Sequence, residues 1–227
     1  MALLPSFIAK PVFRSLNDLL GIARKKQSAR IPKVELQEKH IRNLRTVLDR
    51  TAFLNALPKG GIVAEAGVDK GDFSARILAI TQPKELRLID IWSSARYHGG
   101  LEGVVREKFK KELSSGQVHI DLGLSTDVLA TFPDGRFDWI YIDTDHGYDV
   151  TAAELAIART KVKKGGIIAG HDYSTCNWDG GVRYGVVEAV HEFCVKHDWE
   201  LILLTHETDR FLSFAIREIG TTQGPSS

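Results

Sequence analysis

Two short clusters hold the side chains best suited to chemistry. One is Asp143-Thr144-Asp145-His146, followed by Tyr148 and Asp149; the other is His171-Asp172-Tyr173. Carboxylates and imidazoles converging on one point suit a divalent metal with open coordination positions, either magnesium held by oxygens or a softer ion that tolerates nitrogen. Neutral imidazole, with an unperturbed pKa near ~6.5, also accepts a proton at physiological pH, so His146 is a candidate general base. His40, His98, His119, His191, His197 and His206 share no convergent pattern and read as surface or helix-face residues.

A second kind of chemistry is written in the turn Glu65-Ala66-Gly67-Val68-Asp69-Lys70-Gly71. Glycine permits a tight turn and close approach of a ligand to the backbone. A dinucleotide fingerprint starting at Gly67 would need further glycines where Asp69 and Asp72 stand. Those carboxylates would oppose a pyrophosphate at a helix N-terminus, and a phosphate loop ending in Gly-Lys-Ser/Thr is absent from the sequence. The turn therefore suits a nucleoside-type ligand without a polyphosphate. Asp90 follows at about the ~20-residue offset at which an acid accepts hydrogen bonds from ribose hydroxyls.

The elements that must position these groups alternate along the chain. Strands are expected at 62–65, 86–90, 118–121, 137–143 and 166–170, with helices at 72–80, 101–113, 126–130, 150–161 and 182–197. The runs 201–204 and 211–216, separated by a short polar loop, read as a final antiparallel pair. Such alternation means right-handed βαβ units. The fold class is α/β, a doubly wound, mostly parallel seven-stranded sheet with an antiparallel last strand. In such sheets ligands bind beyond the carboxyl ends of the strands, and Glu65, Asp90, Asp143 and His171-Asp172 all stand there.

The 227 residues divide into an arm (1–33), a main domain (34–220) and a tail (221–227) that reads as disordered. The main domain opens with a helical pattern over 34–57, through Leu36, Ile41, Leu44, Val47 and Leu48. The arm carries Lys10, Arg14, Arg24, Lys25, Lys26, Arg30 and Lys33 against the single acid Asp18, interleaved with apolar residues. A basic amphipathic helical arm can rest on an anionic membrane surface; it can equally pack on its own domain or on a second subunit, giving a homo-oligomer. The formal charge of +1 gives no global attraction to nucleic acid, and no nucleic-acid partner is expected. Cys176 and Cys194 form no metal-binding spacing and read as free thiols of a reducing compartment. No apolar run approaches the ~20 residues that span a bilayer, and the first residues make a poor secretion signal, so a cytoplasmic location is expected.

The stretch from Ile62 to about Ile216 resembles the class I S-adenosylmethionine-dependent methyltransferases. It is most similar to the bacterial group of macrolide-sugar and cephalosporin-pathway methyltransferases, and more distantly similar to catechol O-methyltransferase. The resemblance rests on Ala64-Glu65-Ala66-Gly67 to Gly71, Ile89-Asp90-Ile91-Trp92, the run from Phe137 to His146, and Lys164-Gly165-Gly166 through Gly170-His171-Asp172-Tyr173. It implies a Rossmann-like fold in which Glu65, Gly67 and Gly71 line the cofactor site. Asp90 would hold the ribose, and Ile91 or Trp92 would lie beside the adenine. Relatives often place an acid after the glycine that follows the third strand; here the segment is Gly123-Leu124-Ser125, and Ser125 is the candidate. Metal-dependent relatives carry carboxylates at positions matching Asp143 and Asp172 and a base near His146. His171 stands where they carry an acid, which gives a metal set of Asp143, His171 and Asp172 and either favours manganese, iron or zinc over magnesium or means that the metal has been lost.

The expected activity is thus O-methylation of a hydroxyl on a small molecule or glycan, with S-adenosylmethionine as cofactor and a divalent metal (Mg or Mn) assisting. His146 and Asp143 are the expected catalytic residues, Asp143 also lying against the cofactor. The aromatic and polar loops 92–100 and 173–184, with Trp92, Arg96, Tyr97, His98, Tyr173, Asn177, Trp178, Asp179, Arg183 and Tyr184, would receive the acceptor. The alternatives are a metal-independent methyltransferase, acting on oxygen or on nitrogen, and a non-catalytic nucleoside-binding protein.

Overall fold

A computed structural model describes residues 18–26, 28–93, 99–177, 180–207 and 211–220. The first half of the arm, Arg96, Tyr97 and His98, Trp178 and Asp179, and the tail 221–227 lie outside the described residues. Helix α1 covers 18–26. Strand β1 (Arg45–Val47) and helix α2 (Arg50–Ala56) follow, then β2 (Ile62–Ala66), α3 (Asp72–Thr81), β3 (Glu85–Asp90), α4 (Gly99–Lys108), α5 (Lys110–Ser115) and β4 (Val118–Leu122). The second half holds α6 (Ser125–Thr131), β5 (Phe137–Ile142), α7 (Tyr148–Lys161), β6 (Val162–Gly170), β7 (Cys176–Asn177), β8 (Val182–Arg183), α8 (Val186–His197), β9 (Trp199–Thr205) and β10 (Phe214–Glu218).

The main sheet has eight strands in the order β1-β9-β10-β6-β5-β2-β3-β4. β10 runs antiparallel to both β9 and β6, whereas the other pairs are parallel. The doubly wound architecture with an antiparallel last strand is therefore as expected. The eighth strand is the correction. β1, with its short helical turn at Glu38–His40, replaces the first part of the helix expected over 34–57. Thr46 and Val47 are β-branched and pair with Leu204 and Thr205 at the sheet edge. Asp49 then starts the helix: its carboxylate accepts the Ala52 N–H at 2.8 Å, satisfying one of the open donors of the first turn.

Two further differences matter for the site. The helix expected over 101–113 breaks at Phe109 into α4 and α5. The helix expected from 182 starts at Val186, because Val182-Arg183 pairs with Cys176-Asn177 as a small antiparallel ladder.

Alternation along the strands explains the two core layers, since successive strand residues face opposite sides. Val63, Leu86, Leu88, Trp139 and Tyr141 face Phe53, Leu54, Val105 and Phe109 on one side. Ala64, Ala66, Ile89, Ile140 and Ile142 face Leu129, Leu155, Val190 and Phe193 on the other. Each large apolar side chain so buried contributes roughly 1.5–3 kcal/mol relative to exposure. From β2 the chain winds outward to β4, then returns to β5 on the opposite flank of β2. The direction of winding reverses between β2 and β5, so the crevice at their carboxyl ends is the expected ligand position.

Candidate active site

Backbone contacts at the strand ends bring the expected segments together. Gly67 N donates to Ile89 O, Asp143 N to Ala66 O at 2.7 Å, and His171 N to Ile142 O at 3.0 Å. Gly67 has φ +88°, and a Cβ there would stand 1.9 Å from the Asp143 carbonyl oxygen. The glycine is thus required by the β5 loop crossing over it, quite apart from any ligand. At Gly71, φ +72°, a side chain would meet the ring of Phe109 at 2.9 Å. Both glycines serve the turn's own packing.

Asp90 ends β3 and holds the turn. Its Oδ2 accepts the N–H groups of Val68 (2.7 Å) and Asp69 (3.1 Å), and its Oδ1 accepts that of Trp92 (2.9 Å). A carboxylate offers about four lone-pair positions, so roughly one stays open for a ribose hydroxyl. The same contacts occupy the donors that a phosphate would use, which fits a nucleoside lacking phosphates. Trp92 is buried, donates its indole N–H to Asp69 O at 2.8 Å and joins the core beside Val105; Ile91 is exposed. Of these two expected adenine neighbours, Ile91 is the one left with free surface.

Glu65 is buried on β2 and accepts a hydrogen bond from Ser74 of α3. Burial pushes its carboxyl up to about 8, a rise that Ser74 opposes and nearby Asp143 reinforces. Arg50, the first residue of α2, donates to Tyr141 Oη at 2.9 Å and reaches Asp143 Oδ2 at 3.4 Å. Tyr141 Oη and Ser213 Oγ lie 2.9 Å apart, and burial raises the Tyr141 phenol far above its ordinary range.

At the ends of β5 and β6 the two chemical clusters meet. Ligand atoms of Asp143, His146 and Asp172 all lie within 4.8 Å of one another. His146 Nδ1 is 3.1 Å from Asp172 Oδ2. His171 Nδ1 faces Asp143 at 3.6 Å and Asp172 at 3.5 Å, ion-pair rather than good hydrogen-bond distances, and its Nε2 is buried without a partner. Burial opposes charge on His171, yet the two carboxylates outweigh it and raise its pKa to about 9. Burial would raise Asp143, but His171, Arg50 and His146 together hold it below the ordinary carboxylate value. Asp172 adopts φ +55°, uncommon for a residue with a side chain, and is 5% exposed. Two oxygens and a nitrogen at this spacing fit a divalent ion of mixed N/O preference. The histidine in this group is His146; the sequence had suggested His171.

The expected acceptor loop from Tyr173 folds over the cluster. Tyr184 is buried with its ring centroid 4.5 Å from that of His146 and 5.4 Å from that of Phe211. The arm touches this loop: Arg24 donates to Gly181 O at 3.4 Å, and Arg183 Nε donates to Ser28 Oγ at 3.2 Å.

Sequence reasoning missed Arg50 and Glu154. Glu154 of α7 is fully buried, and its Oε1 accepts from both Thr144 Oγ1 (2.6 Å) and Ser125 Oγ. Its Oε2 has no partner. Burial pushes this carboxyl up to about 7, against the two hydroxyls. The signal was available: Thr151, Glu154, Leu155 and Ala158 recur at helical spacing on the buried face, so one acid interrupts a face that should be apolar. Arg50 left no comparable trace, since no spacing connects it to Asp143.

Residues 64–173 match a family model described as a methyltransferase domain. No curated protein sequence matches the chain. Among solved structures, the pyocyanin biosynthetic protein PhzM aligns over 70% of this chain and 51% of its own, at 13% identity and TM-score 0.55. The B. subtilis tRNA methyltransferase TrmK aligns over 77% of this chain and 67% of its own, at 15% identity and TM-score 0.55. A SAM-dependent methyltransferase from Aquifex aeolicus aligns over 74% of this chain and 87% of its own, at 13% identity and TM-score 0.53. The chain thus spans only about half the length of PhzM, and at these identities the likeness is one of fold. Among the described residues, no helix is long and apolar enough to cross a membrane.

Proposed function

We propose that this chain is a class I, S-adenosylmethionine-dependent methyltransferase that transfers the methyl group to a hydroxyl of a small molecule or glycan, within one domain over 34–220. The observation that carries the reading is His146 Nδ1 held 3.1 Å from Asp172 Oδ2, beyond the carboxyl ends of β5 and β6 and next to the point where the winding of the sheet reverses. S-adenosylmethionine supplies a methyl group that its sulfonium already activates as an electrophile. An alcohol hardly ionises near pH 7, so the remaining task is to remove its proton as the new O–C bond forms. His146 does this through its other ring nitrogen. Asp172 fixes the ring's orientation and stabilises the imidazolium, the logic of a carboxylate–imidazole pair. Asp90 holds the glycine turn and offers its remaining lone pair to the ribose. Ile91 lies against the adenine, with Ser125 beyond it. Kinship with the macrolide-sugar and cephalosporin-pathway group belongs to this proposal and is supported by the 143–146 and 171–173 segments.

A second reading, metal assistance, is supported by the donor atoms of Asp143, His146 and Asp172 lying within 4.8 Å. A divalent ion held there, or by Asp143, His171 and Asp172, would supply a lowered hydroxyl pKa and orient the acceptor oxygen.

The test is methyl transfer from labelled S-adenosylmethionine to a panel of hydroxyl acceptors, alongside titrations with S-adenosylhomocysteine and NAD. His146→Ala is expected to lower kcat by about 10²–10⁴-fold while cofactor affinity stays within a few-fold. Tighter binding of NAD would overturn the cofactor assignment, and undiminished transfer by His146→Ala would remove the base. Asp143→Ala and Asp172→Ala are expected to abolish metal-dependent turnover, with cofactor binding retained in Asp172→Ala and weakened in Asp143→Ala, whose carboxylate also lies against the cofactor. Full activity of both in excess chelator would refute the metal reading.

A further inference from the structure

Arg50 is a cation that the turn and the two reactive clusters leave unexplained. It follows Asp49, the capping residue of α2, and its guanidinium lies 3.7 Å from the centroid of the Phe73 ring. From there it reaches Tyr141 and Asp143 at the carboxyl end of β5. Its side chain is 18% exposed, and its Nε is buried with no partner. The Asp143 contact, at 3.4 Å, is longer than the ~2.7–2.9 Å of a good charge-assisted hydrogen bond. The protein therefore holds the guanidinium in place through Nη2 while leaving Nε unpartnered, and a buried donor left open is costly.

The shape of S-adenosylmethionine says what could fill it. One sulfur joins three arms: the nucleoside, the methyl group and an amino acid carrying an ammonium and a carboxylate. On the reading proposed above, the nucleoside lies toward Asp90 on β3 and the methyl points toward His146 and Asp172 past β5 and β6. The amino-acid arm then lies over the β2–β5 junction, among Glu65, Asp143 and Arg50. The ionised Asp143 there suits its ammonium but would repel its carboxylate. The planar, permanently charged fork of an arginine matches a carboxylate.

We propose that Arg50 is a cofactor-binding residue that pairs with the carboxylate of the amino-acid arm. The assignment rests on S-adenosylmethionine being the cofactor, and the test separates the two claims. Calorimetric titration of the full chain uses two probes: S-adenosylhomocysteine, which has the amino-acid arm, and 5′-methylthioadenosine, which lacks it. The wild-type protein is expected to bind both; binding neither overturns the cofactor reading and the Arg50 assignment with it. Arg50→Ala is expected to weaken S-adenosylhomocysteine about tenfold to a hundredfold, the loss of a charged hydrogen-bonded contact, while 5′-methylthioadenosine changes less than about twofold. Arg50→Lys keeps the charge but loses the fork, and a smaller selective loss of several-fold is expected. Should Arg50→Ala fail to fold, Arg50→Lys decides alone. Unchanged affinity for S-adenosylhomocysteine, or an equal loss for both probes, overturns the assignment while leaving the cofactor reading standing.

Discussion

Replacing Glu154 by Gln should change how stability depends on pH. Glu154 is fully buried, receives Thr144 and Ser125 on one oxygen and leaves the other unpartnered. Its carboxyl ionises at about 7 in the folded protein against an ordinary 4.5. Between those values the native protein holds a proton that the unfolded chain has released, so stability falls as pH rises through this window and levels off above it. A tenfold change in acidity is worth about 1.4 kcal/mol, so the full decline from this group is on the order of 3 kcal/mol. Glutamine cannot ionise, and its amide oxygen can still accept both hydroxyls. Relative to wild type, Glu154→Gln should therefore gain about 3 kcal/mol between pH 4.5 and pH 8, whatever its offset at acid pH. Urea denaturation of both proteins at a series of pH values measures this, provided each unfolds in one cooperative step. Glu65 titrates in the same direction but is present in both proteins, so the difference isolates Glu154. Parallel pH profiles for the two proteins would refute the reasoning.

Gly67→Ala combines a positive φ with a Cβ that would stand 1.9 Å from the Asp143 carbonyl oxygen; it should lower thermal stability by several kcal/mol, beyond the usual ~0.5–3 kcal/mol of a point substitution, and a melting temperature within about 2 °C of wild type would show that the loop moves aside freely. The arm presents Leu19, Leu20 and Ile22 to solvent beside Arg24, Lys25 and Lys26. If the arm rests on an anionic membrane surface, anionic liposomes sediment more of the full chain than of a chain lacking residues 1–33; equal sedimentation of the two ends that reading and leaves the arm packed on protein.

Much of this architecture was legible because its signals are periodic. The strand–helix alternation, the antiparallel end and the grouping of Glu65, Asp90, Asp143 and Asp172 at strand ends all follow from runs with a clear period. β1 was not legible: it is three residues long at the sheet edge, and its own Val47 falls by chance at helical spacing with the flanking Leu44 and Leu48. The break at Phe109 was hidden too: its ring packs against Gly71, nearly forty positions away, and no local spacing records such a contact. Within the site, Asp172 and His146 could be listed from sequence, but their 3.1 Å pairing could not. Trp92 was expected beside the adenine from the resemblance; in the fold its indole N–H holds the carbonyl of Asp69 and its side chain is buried, which no sequence spacing records.

The two proposed roles of the Asp–His cluster compete for one side chain. His146 has two ring nitrogens, and Nδ1 faces Asp172. If an ion takes Nδ1, the contact that orients the ring is lost; if it takes the other nitrogen, no lone pair is left to receive a proton. A His146-ligated ion and a His146 base therefore exclude each other. With His171 as the ligand the two could coexist, but only after that residue, which the carboxylates hold protonated up to a pKa of about 9, gives up its proton. Without an ion, the charges already come close to balance: Asp143 faces Arg50 and His171, while Asp172 faces His146 and His171. An arginine and a protonated histidine can compensate the two carboxylates on their own. A site so nearly neutral binds a divalent cation less avidly than the acid-rich set it resembles. Substituting His for acid at position 171 thus shifts the cluster away from holding an ion and toward orienting His146 as the base.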